Sequence, residues 1–400
     1  TRRLPSRRRS LARPAPEGQL NPDLFVPLPS KDIEFLLAGQ GEEEELRRLL
    51  REIPMDGSIS LTFEREPDFH LATTVEGERS DTVLARERPS GRGIGLGSLA
   101  TRDAWINGEQ RSLGYLSQLR IDEPYRTRRH LLTRAYDFMR RELGKRSGAD
   151  FHVSTIVEDN LAARRYLTSG VPGLPRYQER DTLCTLAIPL HRWQKSPRTP
   201  GVVFRFAKPD DLPDISALLQ SSYQPLQFAP VWTSDDLADS ERTRGLEAGD
   251  FIVGERKGRL VACGAIWDQG EFKQTVVKSY QGKLERWRRL LNAVRPFTSL
   301  PHLPPPGGVL THATLSHFAV AEWSPELALG LVSAAGQGAW ERGIRTMSLG
   351  LCQSNPVLAP VKKQVRHLEY RSLIYSICWS GDTQAEKVMD GACHLEIATL

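Results

Sequence analysis

Apolar residues recur along this chain with two periods, about two residues and about 3.6 residues, and the order in which the two alternate predicts a mixed α/β fold. Residues 31–37 and 42–51 read as short helices, the second carrying Leu46, Leu49 and Leu50 on one face behind an acidic start. Residues 58–63, 70–76, 82–87 and 93–102 read as neighbouring antiparallel strands, rich in β-branched and aromatic side chains between turn signals. Asn107-Gly108 tolerates positive φ at both places and predicts a hairpin into an apolar strand at 113–121. That strand stops near Pro124. Leu131, Leu132, Ala135, Phe138, Met139 and Leu143 then predict a helix over 128–143, and a core strand follows at 151–157. Asp159-Asn160 offers capping side chains to a helix at 161–169, and a loop dense in glycine and proline at 170–175 leads to a last strand at 182–189.

The polar, proline-marked stretch 191–200 reads as a linker, and beyond it the same order returns. Strand, helix, strand and strand fall at 202–206, 211–221, 251–255 and 259–267, and a second βαβα unit at 311–320, 325–342, 346–352 and Asn355-Pro356. An insertion at 279–306 joins a basic helix to a proline-rich run. The expected organisation is a basic disordered tail at 1–22, a first domain at 23–190, the linker at 191–200 and a second domain at 201–400.

Composition changes this picture little. At 400 residues and 39% hydrophobic content, the chain can bury two cores. Part of the net charge of +5 sits in Arg2, Arg3, Arg7, Arg8, Arg9 and Arg13, so the rest is closer to neutral, which argues against nucleic acid as the main partner. For the arginine run itself, a solvated tail, a nucleic-acid arm and a targeting segment all stay open. Cys184, Cys263, Cys352, Cys378 and Cys393 lack paired spacing and are odd in number, which fits reduced thiols and a cytoplasmic location. No apolar run reaches the roughly 20 residues of a membrane span. Residues 91–97 lack the ending of a phosphate loop and read as a hairpin, and the histidines have no metal-ligand spacing with the cysteines.

The stretch richest in chemistry is 119–132, a core strand that ends in a proline turn and a cluster of arginines opening a long helix. A helix start exposes unpaired amides at the positive end of the dipole, and Arg126, Arg128 and Arg129 add charge suited to a phosphate or pyrophosphate.

This strand, turn and helix resemble the signature of the GNAT superfamily of acyl-CoA-dependent N-acyltransferases, over residues 58–189, with Ile121, Pro124, Tyr125 and Arg126 matching its motif. The second half, over 202–379, resembles the superfamily more faintly and lacks the arginine and glycines at its equivalent strand end. The resemblance implies two GNAT-like domains in tandem, with acetyl-CoA or another acyl-CoA bound in the first. It implies that the pyrophosphate lies against Arg126, Thr127, Arg128, Arg129, His130 and Leu131. Backbone near Leu119 and Ile121 would hold the acyl carbonyl and pantetheine amides, and Asn160 would reach the pantetheine. Arg129 and Leu131 stand where the family has glycine, so either arginine side chains replace part of the amide cradle or the pocket has lost its cofactor.

Many members carry a tyrosine seven residues after that asparagine, which protonates the departing thiolate. Here Leu167 occupies the position and Tyr166 stands one residue early, which makes Tyr166 the catalytic candidate and Tyr177 the reserve. Glu76, Asp122, Glu123, Glu158 and Asp159 are the candidate bases. The expected activity is transfer of an acetyl or longer acyl group from acyl-CoA to a small-molecule or protein amine by direct attack. A catalytically silent scaffold that binds a partner or small ligand is the alternative.

Overall fold

The computed structural model describes residues 32–55, 59–190, 199–294, 303–379 and 387–400. The expected tail at 1–22 and the linker over 191–198 lie outside the described residues.

In the first half the elements are β1 (Ile33–Leu37), α1 (Glu43–Glu52), β2 (Ile59–Glu64), α2 (Phe69–Glu76), β3 (Arg79–Glu87), β4 (Gly93–Ile106), β5 (Glu109–Ile121), α3 (Arg129–Glu142), α4 (Gly144–Ser147), β6 (Phe151–Val157), α5 (Leu161–Leu167) and β7 (Arg176–Pro189). The second half continues with β8 (Val203–Phe206), α6 (Leu212–Tyr223), β9 (Ala229–Pro230), α7 (Ser234–Ala238), β10 (Phe251–Arg256), β11 (Arg259–Trp267), β12 (Gln274–Tyr280) and α8 (Lys283–Val294). It closes with β13 (Ala313–Val320), α9 (Pro325–Glu341), β14 (Thr346–Cys352), α10 (Leu358–Gln364) and β15 (Leu368–Cys378).

Two segments take the opposite structure from the one their local pattern predicts. Residues 33–37 form an edge strand against β3 rather than a helix, because a five-residue segment cannot nucleate a helix alone and its backbone gains a ladder there. Residues 69–76 form a helix rather than a strand. Its β-branched Thr73, Thr74 and Val75 suggested extended chain, but Asp68 caps the first turn through His70 N–H, and Phe69, Ala72, Val75 and Glu76 bury one face. Nor does β2 join its sequence neighbours: it pairs with β12 in a separate two-stranded sheet.

The main sheet runs β1-β3-β4-β5-β6-β15-β7-β14-β13-β11-β10-β8, with β9 beside β4. All neighbours are antiparallel except β5 with β6 and β13 with β14, the strands joined through α3 and α9. The two halves exchange their last strands. The final strand of the second half, β15, lies between β6 and β7, and β7 in turn pairs with β14. The apolar face of α3, carrying Leu132, Tyr136 and Met139 and followed by Leu143 at its C-cap, packs on Val83, Leu99, Leu116 and Ile156 of the first half. The longer and more apolar α9 covers β11 and β13 of the second half through Leu327, Leu331, Val332 and Ala335.

Candidate active site

The two parallel strand pairs separate soon after they meet. β5 and β6 are in register only from Leu113 opposite Phe151 to Leu116 opposite Ser154, although the strands run on to Ile121 and Val157. The cause lies in β5. Between the pairs Ser98–Ser117 and Leu96–Arg120, two steps along β4 match three along β5, and Gln118 takes a φ of 55°. This bulge bends β5 away from β6 and opens the sheet. Past it, Asp122 N–H donates to Ile94 O at 2.9 Å, so alternation turns the peptide groups of Leu119 and Ile121 toward the opening. Their carbonyls are taken, Leu119 O by Arg120 Nη1 at 3.0 Å and Ile121 O by Arg126 Nε at 3.1 Å. Their amides face the gap.

A cleft of about 980 Å³ passes through this gap. On the α3 side its wall is apolar, built from Phe35, Val83, Leu132, Ala135, Met139 and Leu167. Gly97 leaves room there, since a Cβ would meet only Met139 Sδ, at 3.9 Å. Tyr136 and Tyr177 share a buried hydroxyl–hydroxyl bond in the same wall; burial raises Tyr136 to about 12 and also raises Tyr177 well above its ordinary value, so both stay neutral. The opposite wall is polar and comes from both halves, with Arg65, Arg120, Lys273, Gln274 and Tyr370. Behind it Arg65 pairs with the fully buried Glu76, and Lys273 stands 3.8 Å from the same carboxylate. Lys273 Nζ also donates to Leu400 O at 2.9 Å and Ala398 O at 3.2 Å, and burial lowers it to about 8 against the attraction of Glu76.

The residues singled out in the sequence divide. Leu119, Ile121, Leu131, Asn160 and Tyr177 line the cleft; Arg126, Thr127, Arg128, His130 and Tyr166 are not part of its lining. Asn160 caps α5, its Oδ1 accepting from Ala163 N–H at 3.0 Å. At the helix start the amides of Arg126, Arg128 and Leu131 already donate to the carbonyls of Glu123, Tyr125 and Arg128. Arg128 stacks 5.6 Å from the Tyr125 ring, and Leu131 is buried beside Ile33, Ala85, Ile94 and Tyr125. Arg129 begins α3. Along α5 it is Leu167, not Tyr166, that reaches the cleft, as a turn of about 100° per residue requires. None of the five candidate bases lines the cleft. Glu76 is held by Arg65, Asp122 by Arg92 at 2.9 Å and Glu158 by Arg371 at 2.7 Å, while Glu123 and Asp159 are exposed.

Sequence reasoning missed Gln118, Arg65, Arg120, Lys273 and Tyr370. A bulge leaves no local signature, and the four cleft side chains meet only through tertiary folding.

The second half repeats the bulge but not the opening. His317 takes a φ of 51°, and the register jumps by one residue between Cys263–Ala319 and Ala265–Ser316. β13 and β14 pair only at Ala313–Met347 and Thr314–Ser348. Here the chain's own segment 395–400 fills the gap. Glu396 Oε2 accepts the bulge amide of His317 at 2.7 Å, and Ile397 packs against the bare Cα of Gly350.

The mixed sheet, repeated in tandem, is a GNAT-like fold of the two-domain kind, and its structural neighbours are N-myristoyltransferases and GCN5-related N-acetyltransferases. Saccharomyces cerevisiae N-myristoyltransferase, solved with bound myristoyl-CoA, is similar with a TM-score of 0.56 and 13% identity, over 89% of this chain and 84% of that one. The GCN5-related N-acetyltransferase of Sphaerobacter thermophilus gives 0.53 and 11%, over 88% and 96%. A glucosamine N-acetyltransferase region of a fungal multi-domain GH3 β-N-acetylglucosaminidase gives 0.57 and 15%, over 86% and 38%. No family model and no curated protein matches the sequence.

Proposed function

We propose that this chain is an N-acyltransferase that moves an acyl group from acyl-CoA to an amine in the cleft of its first half. The observation that carries this reading is the contrast between the two bulges: the one at Gln118 opens onto a cleft, and the one at His317 is covered by Glu396. In the reaction the amine nitrogen attacks the thioester carbon, the C–S bond breaks, and the proton given up by the nitrogen ends on the departing sulfur, so that a neutral amine and the thioester become an amide and CoA thiol. The chain's contribution is to place the thioester carbonyl against the Leu119 and Ile121 amides, where charge developing on oxygen is stabilised out of water. The acyl chain lies along the apolar wall toward Gly97 and Met139, which suits a chain longer than acetyl. Asn160 borders the pantetheine path. Arg126 and Arg129, with the amides of Thr127 and His130, stand at the pyrophosphate end, while the amides of Arg128 and Leu131 are already committed within the turn.

Lys273, which burial lowers to about 8, lines the same cleft and is placed to exchange a proton with the reacting groups. Tyr166 has no part in this scheme because Leu167 holds the cleft position. The chain would act in the cytoplasm. One observation favours the silent scaffold instead: Leu131 is buried and its amide committed, so the glycine-lined cradle of the family is not reproduced.

Thermal unfolding with free CoA, acetyl-CoA and dodecanoyl-CoA separates the two readings. A ligand of the native state raises the midpoint, by about 2.7 kcal/mol of stability at a hundredfold excess over Kd. The enzyme reading expects a shift that grows with acyl length and falls in the Arg126→Ala/Arg129→Ala variant, with CoA thiol released when an amine is added. No shift with any CoA species, and no thiol release, would leave the scaffold.

A further inference from the structure

The polar wall holds two guanidinium groups whose hydrogen bonding is unfinished. Arg65 donates through Nη2 to Glu76 and stacks 4.5 Å from the Phe69 ring, but its Nη1 is buried without a partner. Arg120 spends Nη1 on the neighbouring Leu119 carbonyl, and its buried Nε has no partner. Among the described residues no carboxylate forms an ion pair with Arg120. After burial, which lowers it to about 10, the next influence on Arg120 is a like charge, Arg65. The cleft's own acids are engaged elsewhere. Glu64 pairs with Lys278 at 2.8 Å, Glu369 with Lys362 at 2.5 Å, and Asp268 Oδ1 accepts from Gly270 N–H at 2.9 Å.

Two cations lining one cleft, each with a donor withdrawn from water that has no acceptor, are costly unless something anionic arrives. Both line the cleft, as does Tyr370. Arg120 lies two residues beyond the bulge at Gln118, on the strand that forms one edge of the opening between β5 and β6. A carboxylate has the two oxygens that two such donors need.

We propose that Arg65 and Arg120 form a carboxylate subsite, and that the amine acceptor of this protein is therefore an amino acid or a similar small amine carrying a carboxylate close to its nitrogen. The inference rests on the acyl-transfer reading. Arg120 is a binding residue in it, and Arg65, braced by Glu76, supplies the second donor.

The test compares N-decanoylglycine with N-decanoylglycinamide as product analogues, by calorimetry on the full chain, so that no turnover is required. The carboxylate is expected to bind about tenfold to a hundredfold more tightly than the amide, the size of a charge-assisted hydrogen-bond pair. Arg120→Gln should erase that difference and Arg120→Lys retain part of it, both with an unchanged thermal shift by dodecanoyl-CoA. Equal binding of acid and amide, or binding of neither, overturns the subsite. So does an Arg120→Gln variant that weakens dodecanoyl-CoA as much as N-decanoylglycine, because the anion would then be a phosphate of the donor. Loss of the dodecanoyl-CoA shift in the unmodified protein would defeat the acyl-transfer reading itself, while the preference for acid over amide is still measured independently.

Discussion

Single side chains decide how far each half of the sheet stays open. At Gly350 a Cβ would collide with the Ile397 side chain, so Gly350→Ala must push the 395–400 segment out of the second gap. Overpacking of this kind costs about 1–3 kcal/mol, and urea unfolding should show that loss; a change below about 0.5 kcal/mol would mean the segment is loosely held. Gly97 is the opposite case, with open space before Met139 Sδ. Gly97→Leu should fold normally, keep the thermal shift by acetyl-CoA and lose that by dodecanoyl-CoA, because the new side chain occupies the apolar wall. Retention of the long-chain shift would place the acyl chain elsewhere. Leu119, Ile121, Leu131 and Asn160, which the family resemblance singled out, line the cleft. Arg65, Arg120, Lys273 and Tyr370 carry no local pattern, since three elements from both halves bring them to one wall, and Tyr166 was misplaced relative to the cleft by a single helical step.

At the scale of elements, the segment that closes the second gap is also a titrating device. Burial raises Glu396 to about 7, against the opposing pull of the His317 and Ala398 amides it accepts from. Burial lowers His317 and His394 to about 3 each, with Arg242 and Arg102 respectively adding repulsion. His317 packs against Trp232, Phe251 and Trp267, and His394 against Tyr223. The signs oppose. A carboxyl with a raised folded pKa stabilises most in acid and loses its contribution as pH rises from its unfolded value of 4.5 toward 7. The histidines contribute above their unfolded value of 6.5 and lose that contribution as pH falls toward 3. Between about pH 5 and 6 the unfolded chain holds two more imidazole protons and one fewer carboxyl proton than the native one. Stability from these groups should then rise by about 1.4 kcal/mol per pH unit. Glu396→Gln removes the opposing term and should double the slope to about 2.7 kcal/mol per unit, read from denaturant unfolding at three pH values. An unchanged slope would show that Glu396 is ionised in the native state. None of this was legible beforehand. The C-terminal stretch has no periodicity, and the elements read wrongly, β1 and α2, are likewise short segments whose structure is set by what they pack against.

The whole molecule follows from where β7 and β15 lie. The repeat in the sequence predicts two domains in tandem, and in the fold β6 and β7 are not neighbours: β15 separates them, paired to both, and β7 completes the second half through β14. The tandem repeat and its αβ order were legible from periodicity. The exchange was not, because strands of either half carry the same alternation of apolar residues and nothing local states which partner each will find. Removing the second half would leave β6 and β7 with exposed ladder edges, and it would strip Trp379 and Tyr375 from the cluster around Tyr136 and Tyr177. The halves should therefore unfold as one unit. Scanning calorimetry is expected to give a single transition whose calorimetric and van't Hoff enthalpies agree, and a fragment of residues 32–190 should show no cooperative transition. A dodecanoyl-CoA ligand bound in the first half should raise that one midpoint for both. Two resolved transitions, with the ligand moving only the first, would mean that the exchanged strands contribute little coupling and that each half is stable by its own core.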